Sequence, residues 1–202
     1  MMTTWAVIPV KHLRESKRRL AHLLTPDERA DLILSFLDNM LATLNETLGI
    51  DRTLVVTGDP VVSTLAGKYG AELLIEFEPA GLNAAVSIGV TRATAQGASA
   101  VLILPADLPF ASVENIEEAL RSLYTLPSPL MAIAGDGEEE GTNALLLAPP
   151  DGFTFRYGPG SFRAHLAEGS DRTVGIIDAS GLRFDLDTES DWLLYTRQAV
   201  GG

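Results

Sequence analysis

Apolar and polar positions along the chain follow two patterns, which predict strands and helices. Short apolar runs, the first at residues 5–10, are too short for a helix and predict buried strands. Longer stretches repeat apolar residues every three or four positions and predict helices that pack one face on a sheet. The first such series is Leu32, Ile33, Phe36, Leu37, Met40, Leu41, Leu44 and Leu48. The predicted strands are 5–10, 53–57, 71–76, 101–104, 130–134, 144–148, 173–177 and 182–186, and the predicted helices are 26–48, 60–69, 82–96, 112–123, 161–168 and 189–199.

Signals at the helix ends support this order of elements. Thr25, Pro26 and Glu28 supply a cap, a proline at the first helical position and an acid three residues after the cap, which together indicate a helix start. Gly49 is expected to end that helix, and Ser112 is expected to cap a later one. Residues 11–24, between the first strand and the first helix, are expected to be loop or irregular helix.

The alternation of strands and helices predicts an α/β fold with a mainly parallel sheet. The run at 101–104 is apolar throughout, which indicates a central strand buried on both faces. We therefore expect a three-layer α/β/α fold around a mainly parallel mixed sheet. Neither a repeat nor a Pro/Gly/Ser-rich linker interrupts the sequence, so residues 1–202 are expected to form a single domain.

Composition narrows the classes of function. The 202 residues include no cysteine, which excludes disulfide frameworks, zinc knuckles, iron–sulfur ligation and thiol catalysis. The formal net charge of −12 argues against a nucleic-acid partner. The longest apolar stretches are far shorter than the roughly 20 residues of a membrane span. The sequence thus predicts a cytoplasmic protein that binds neither nucleic acid nor membrane. The absence of Walker, G-x-S-x-G and H-E-x-x-H motifs disfavours P-loop, serine-hydrolase and zinc-peptidase chemistry.

A cluster of basic residues follows the first strand, although the chain is acidic. Its members are Lys11, Arg14, Lys17, Arg18 and Arg19, with Glu15 the single acid among them. Such a run is most often a solvated surface. Ligands of open α/β sheets collect beyond the carboxyl ends of the strands, so the position of this cluster favours a local anion site.

Three aspartates near predicted strand ends are candidate metal ligands. Asp107 lies between two prolines just past the central strand, and Asp185 and Asp187 lie at the end of the last predicted strand. Mg²⁺ commonly takes one or two carboxylates and completes its shell with substrate phosphates. The structural alternatives are that Asp107 caps the turn before Ser112 and that Asp187 caps the last helix, and spacing alone favours the structural role for Asp187.

Two glycine-containing loops are candidate anion sites. Residues 158–161 open a helix whose free N–H groups suit a phosphate or a carboxylate, although a glycine turn with a serine cap is also an ordinary helix start. Residues 141–143 form a small polar loop before a strand. His165 lacks metal-ligand spacing and is expected to orient or bind an anion, and the acidic run 138–140 is expected to be a solvated loop tip.

Six motifs follow one another along the chain. They are Ile8-Pro9-Val10-Lys11 followed by Lys17-x-Arg19-Leu20, Gly81-Leu82-Asn83-x-Ala85, Ala106-Asp107-Leu108-Pro109, Gly141-Thr142-Asn143-Ala144-Leu145, Gly158-x-x-Ser161-x-x-x-His165 and Asp185-x-Asp187. In this order, and over about residues 5–195, the sequence resembles the CofC/FbiD guanylyltransferases of deazaflavin coenzyme (F-420) biosynthesis.

The resemblance implies a GT-A-like, MobA-like nucleotidyltransferase that condenses GTP with a three-carbon phosphorylated acid and releases pyrophosphate. It implies Mg²⁺ as the cofactor and catalytic roles for Asp107 and Lys17. By the same resemblance, the GTP-binding residues would be Lys11, Lys17, Arg19, Leu82 and Asn83, the acceptor-binding residues Thr142, Gly158 and Ser161, and the metal ligands Asp107, Asp185 and Asp187.

The residues leave the acceptor and two other functions open. Phosphoenolpyruvate, 2-phospho-L-lactate and 3-phosphoglycerate all carry the phosphate and carboxylate that these residues suit, and residues 158–161 are more like the bacterial members, which favours phosphoenolpyruvate. The other functions are a MobA-like transferase with a molybdopterin or sugar-phosphate acceptor, and a nucleotide sensor without catalysis. The family resemblance also allows a homodimer.

Overall fold

The computed structural model describes residues 2–76 and 80–200, and seven strands and six α-helices occur in that part of the chain. The strands are β1 (Thr4–Val10), β2 (Arg52–Thr57), β3 (Glu72–Ile75), β4 (Ala100–Ile103), β5 (Leu130–Gly135), β6 (Thr142–Ala148) and β7 (Thr173–Ile176). The helices are α1 (Pro26–Glu46), α2 (Pro60–Lys68), α3 (Leu82–Ala95), α4 (Val113–Thr125), α5 (Ser161–Glu168) and α6 (Glu189–Val200), and three short 3-10 turns cover Leu13–Glu15, Arg18–Leu20 and Ser180–Leu182.

The strands form one sheet in the order β3-β2-β1-β4-β6-β5-β7, in which β6 alone, among the strands described, runs antiparallel to its neighbours. Side chains of β1 alternate between two cores: Ala6 and Ile8 pack with α1, α2 and α4, whereas Trp5 and Val7 pack with α3 and α5. Every residue of β4 is buried. The predicted three-layer fold with a buried central strand is confirmed.

Helix α1 begins as its sequence predicts. The Thr25 hydroxyl accepts a hydrogen bond from the Glu28 N–H, and the Glu28 carboxylate accepts one from the Thr25 N–H, with Pro26 at the first helical position. The helix ends at Glu46, two residues before the predicted end. Leu48 is 82% exposed, so its assignment to the buried face was wrong, because the chain has already turned toward β2 there.

The strand predicted at 182–186 is wrong. Ser180–Leu182 is a 3-10 turn, and residues 183–188 form no regular element. Leu182 and Leu186 are both buried, which produced the strand-like alternation. The Leu186 N–H donates to the Asp107 carbonyl (3.3 Å), so the segment packs against the loop after β4 without joining the sheet.

Two smaller predictions are confirmed. Ser112 caps α4 by accepting a hydrogen bond from the Asn115 N–H, and residues 138–140 are exposed. Among the described residues, no helix combines the length and apolar character that crossing a membrane requires.

Candidate active site

The candidate site lies at the carboxyl edge of the sheet, where β1 and β4 part. From β1 the chain passes to β2 and β3 on one side, and it returns to place β4 on the other side of β1. Helices cannot cover the crevice at such a switch point, which makes it the usual ligand site of open α/β sheets. Lys11 follows β1, Asp107 follows β4, and the antiparallel strand β6 begins with Thr142 at the same edge.

Residues 11–24, which we call the basic segment, form two 3-10 turns anchored by the buried side chains of Leu13 and Leu20. The Leu13 N–H donates to the Asp59 carboxylate (3.1 Å), which also caps α2. Burial raises the pKa of Asp59, but its hydrogen bonds from the N–H groups of Leu13, Val61 and Val62 outweigh this and leave the pKa below its ordinary value. A charged Asp59 thus ties the basic segment to the turn after β2.

Lys17 is the buried member of the basic segment. Its backbone is left-handed (φ 51°, ψ 40°), a conformation that costs a residue with a side chain about 1–2 kcal/mol. Only 6% of the residue is exposed, and its ammonium contacts Asp107 (2.5 Å) and Asp187 (3.6 Å). Burial lowers the pKa of Lys17, but the charge of Asp107, with Asp187 and Asp185, outweighs burial and raises the pKa above its ordinary value.

The three predicted aspartates converge on this ammonium. Burial, followed by the charge of Asp107, raises the pKa of Asp185, whose carboxylate accepts a hydrogen bond from Asn143 (3.2 Å). Among the described residues, no group of three or more His, Asp or Glu side chains is already arranged around a metal position. Carboxylate oxygens are nevertheless the donors that Mg²⁺ prefers, and one or two of them suffice when substrate phosphates complete the shell. The donor set therefore fits Mg²⁺.

The remaining cations of the basic segment lie outward. Arg19 pairs with Asp187 (2.7 Å) through an exposed side chain, and Lys11 is exposed at the end of β1. Asp187 therefore meets both Lys17 and Arg19. The last helix is capped by Thr188, which exchanges hydrogen bonds with Asp191, so the structural alternative for Asp187 was wrong. For Asp107, the structural alternative was a cap of the turn before Ser112. Its carboxylate pairs with Lys17 instead, and the helix after that turn is capped by Ser112.

Thr142 and His165 form the centre of a second group of predicted residues. The imidazole Nε2 of His165 accepts a hydrogen bond from the Arg156 N–H (2.9 Å), which places the ring proton on Nδ1, facing the Thr142 hydroxyl (3.0 Å). Burial lowers the pKa of His165 to about 4. The ring is thus neutral near pH 7 and directs Thr142. Of the two roles expected for His165, this structure supports orientation and not direct binding of an anion.

A bulge in the sheet separates the directions of Thr142 and Asn143. Ala134 pairs with Ala144, but Gly135 pairs with Thr142, so Asn143 is the additional residue on β6. The Thr142 side chain contacts His165 of α5, whereas Asn143 contacts Asp185. Asn143 was quoted in a motif but was not predicted as a site residue, because a bulge between two strands leaves no clear signal in one sequence.

Helix α5 begins next to Thr142 and its partner. Gly160, in the left-handed region (φ 71°), occupies the cap position and provides no side chain, so the alternative of a serine cap was wrong. Ser161 is the first helical residue and is buried, and its hydroxyl makes no hydrogen bond to the described residues. Gly158 (φ 134°) precedes it in a conformation that suits glycine. The Ser161 N–H donates to the Gly158 carbonyl (3.0 Å) and the Phe162 N–H to the Glu140 carbonyl (3.4 Å), so these two N–H groups are not free as predicted. What the start of α5 offers an anion is the Ser161 hydroxyl.

Asn83 links the start of α3 to the loop before α5. Its side-chain amide donates to the Tyr157 carbonyl (3.0 Å), and its side-chain oxygen accepts from the Tyr157 N–H (2.7 Å). Leu82 beside it is 46% exposed. Both polar ends of Asn83 are thus used by the protein backbone, which joins the region predicted to bind nucleotide to the region predicted to bind the acceptor.

Several solved structures share this fold. A nucleotidyl transferase from Methanothermobacter thermautotroptrophicus aligns with a TM-score of 0.72 at 17% identity, covering 98% of both chains. A 4-diphosphocytidyl-2C-methyl-D-erythritol synthase from Anaerococcus prevotii aligns with a TM-score of 0.66 at 14% identity, covering 98% of this chain and 96% of the other. At these identities the likeness establishes the shared fold.

Sequence comparison places the chain in the nucleotidyltransferase class and defines its family. The chain belongs to the CofC-like guanylyl transferase family, which matches residues 4–195. It is 41% identical to a phosphoenolpyruvate guanylyltransferase of Rubrobacter xylanophilus, over 100% of this chain and 96% of the relative, and 39% identical to that of Sphaerobacter thermophilus, over 94% and 91%. A 3-phospho-D-glycerate guanylyltransferase of Colwellia psychrerythraea is 34% identical, over 94% and 90%. These similarities support the guanylyltransferase prediction and not the molybdopterin, sugar-phosphate or sensor alternatives.

Proposed function

We propose that this chain transfers the guanylyl group of GTP to phosphoenolpyruvate, as a step in the biosynthesis of coenzyme F-420. The products are a guanosine diphospho-linked acid and pyrophosphate. The observation that carries the proposal is the cluster of Asp107, Asp185 and Asp187 around Lys17 at the switch point. It occurs in a chain that matches phosphoenolpyruvate guanylyltransferases over nearly its whole length.

The triphosphate of GTP would lie against the basic segment. Lys17, Arg19 and Lys11 are its candidate contacts, with Leu82 near the nucleoside. Lys17 and Arg19 here pair with carboxylates, so they must give up part of that pairing to contact a phosphate. Asn83 would act by fixing the Tyr157 backbone, because both polar ends of its side chain are already occupied.

Asp107, Asp185 and Asp187 would hold Mg²⁺, which supplies positive charge to the phosphates when it is bound. Asn143 would hold the Asp185 carboxylate in place through the hydrogen bond described above. The cytoplasm, where GTP is available, is the expected location of such a reaction.

The acceptor would bind at Thr142, Gly158 and Ser161. Because His165 donates to the Thr142 oxygen, the Thr142 hydroxyl hydrogen remains free to donate to an anionic acceptor oxygen. Ser161 adds a hydroxyl that has no partner among the described residues.

The transfer itself requires little covalent chemistry from the protein. A phosphate oxygen of the acceptor attacks the α-phosphorus of GTP in line, a new P–O bond forms, and the bond between the α-phosphorus and the bridging oxygen breaks to release pyrophosphate. The attacking oxygen is already anionic, so no general base is needed. Catalysis then consists of alignment and charge neutralisation by the residues above.

Pyrophosphate release tests the proposal. The purified chain is incubated with Mg²⁺ and GTP, with ATP as the control nucleotide, and with phosphoenolpyruvate, 2-phospho-L-lactate or 3-phosphoglycerate in turn. We expect release that requires GTP and is fastest with phosphoenolpyruvate, and that stops with EDTA and resumes with added Mg²⁺. Release that occurs with ATP but not with GTP would contradict the proposal, and so would the absence of release with all three acids.

Light scattering of the same sample tests the homodimer that the family resemblance allows.

A further inference from the structure

Arg29 of α1 binds two carbonyl groups of the basic segment, one near its middle and one at its last residue. Its Nε donates to the Ser16 carbonyl (3.1 Å), and its Nη1 donates to the Leu24 carbonyl (2.8 Å). The residue is 6% exposed, so the guanidinium is held beneath the segment and not in solvent. One side chain therefore fixes positions eight residues apart.

The Arg29 charge makes no ion pair with a carboxylate within 4.0 Å among the described residues. Burial of a charge without a counter-charge is unfavourable unless its hydrogen bonds are satisfied. A buried arginine is thus a costly way to stabilise a helix. The two carbonyls that it binds indicate what it holds in place.

The Ser16 carbonyl belongs to the peptide that joins Ser16 to Lys17. That peptide precedes the left-handed backbone of Lys17 (φ 51°), which the surrounding structure must enforce. Arg29 fixes it on the backbone side, and the contacts with Asp107 and Asp187 fix the side chain. Without Arg29, the segment would lose its restraint at Lys17 while keeping its buried anchors Leu13 and Leu20.

We propose that Arg29 is a positioning residue for the nucleotide: it holds the basic segment in the conformation that presents Lys17 and Arg19 to the phosphates. This inference rests on the proposed function. Arginine is required because its planar fork donates in two directions at once, whereas lysine offers one ammonium on a flexible stem. Arg29 does not itself contact the reacting atoms.

Steady-state kinetics separate this role from simple stabilisation. R29M is expected to raise KM for GTP by about tenfold or more, the loss expected for hydrogen bonds from a charged donor, and to leave KM for the acid unchanged. R29K is expected to recover little of this loss. N45A is the control, because Asn45 also donates from α1 to a loop carbonyl, that of Tyr69, at the far end of the helix. In a K17Q background, R29M is expected to raise KM for GTP by a smaller factor than in the wild type, because Arg29 acts in part through Lys17.

Limited trypsin digestion tests the same inference without activity. In the folded wild-type chain, the bonds after Lys17, Arg18 and Arg19 are expected to be protected, and in R29M they are expected to be cut about tenfold faster. The melting temperature and the far-UV circular dichroism are measured alongside, and R29Q replaces R29M if R29M does not fold.

The outcomes are distinguishable. Equal cleavage of wild type and variant with unchanged KM for GTP would overturn the inference, as would a loss confined to kcat with a lowered melting temperature. If wild type releases no pyrophosphate, the proposed function fails, while the digestion still decides whether Arg29 holds the segment.

Discussion

At the scale of single residues, the two halves of the site are built in opposite ways. Around Lys17, partly exposed carboxylates neutralise a buried ammonium, whose pKa burial alone would lower. Around Thr142, the organising group is uncharged, because His165 is deeply buried and accepts a backbone N–H. The first half is suited to a ligand that brings its own charge, and the second to fixing the direction of one hydroxyl.

The lowered pKa of His165 predicts an acid-dependent loss of stability. The pKa is about 4 in the folded chain, below the roughly 6.5 of an unfolded histidine. The contribution of neutral His165 to the free energy of unfolding is therefore complete above pH 6.5 and is lost as the pH falls toward 4. The loss amounts to about 3 kcal/mol at most. Urea unfolding at several pH values should show a smaller decrease in H165Q, whose amide keeps a donor and an acceptor. H22Q, at an exposed histidine, is the control and should decrease like wild type.

Asp107 carries a second prediction at this scale. D107N is expected to reduce pyrophosphate release by about 100-fold or more, because a neutral amide is a poor Mg²⁺ ligand and charge stabilisation dominates such transfers. The fold should persist, since Lys17 keeps Asp187 as a partner. D178N removes an exposed carboxylate that pairs with Arg183 and should have wild-type activity. Wild-type turnover and metal dependence in D107N would remove Asp107 from the site.

At the scale of elements, close packing of α3 on the sheet outweighs helix propensity. A Cβ on Gly89 would lie 2.8 Å from methyl groups of both Val7 and Val56, which are stiff side chains. In α2, a Cβ on Gly67 would meet no atom within 4 Å. A methyl group would therefore clash at Gly89 and would be accommodated at Gly67.

Alanine at these two positions should therefore change stability in opposite directions. G89A is expected to lower the free energy of unfolding, because overpacking costs about 1–3 kcal/mol against a helix-propensity gain of at most about 1 kcal/mol. G67A is expected to raise it by about 0.5–1 kcal/mol. Chemical denaturation measures both, and a stabilising G89A would show that the contact relaxes without cost.

Elements with local signals were predictable, and those fixed by distant contacts were not. The start of α1 follows from Thr25, Pro26 and Glu28 alone. The strand predicted at 182–186 failed because burial of Leu182 and Leu186 against other elements imitates strand alternation. Arg29 did leave a signal, since it lies four residues before Ile33 on the buried face of α1, but its partners lie in a segment without periodicity.

At the scale of the whole molecule, the sheet topology explains why sequence analysis located the site but not the ion pairs within it. The basic segment and Asp107 follow the adjacent parallel strands β1 and β4, so their convergence at one edge could be expected. Asp185 reaches the same edge from a segment that is not a strand, which the sequence did not indicate. Which carboxylate pairs with which cation depends on side-chain packing across distances of up to 168 residues in sequence. The bond between Asn83 and Tyr157 joins the nucleotide and acceptor regions for the same topological reason.

The central claim is that the α-phosphoryl group of GTP passes to the acid, and labelled GTP tests it most directly. Folded enzyme is mixed with Mg²⁺, phosphoenolpyruvate and either [α-³²P]GTP or [γ-³²P]GTP, and the products are separated. The account predicts that the α label enters a new acid-linked guanosine diphosphate and that the γ label enters pyrophosphate, at equal rates. An α label found only in GMP, or a γ label released as orthophosphate, would contradict guanylyl transfer.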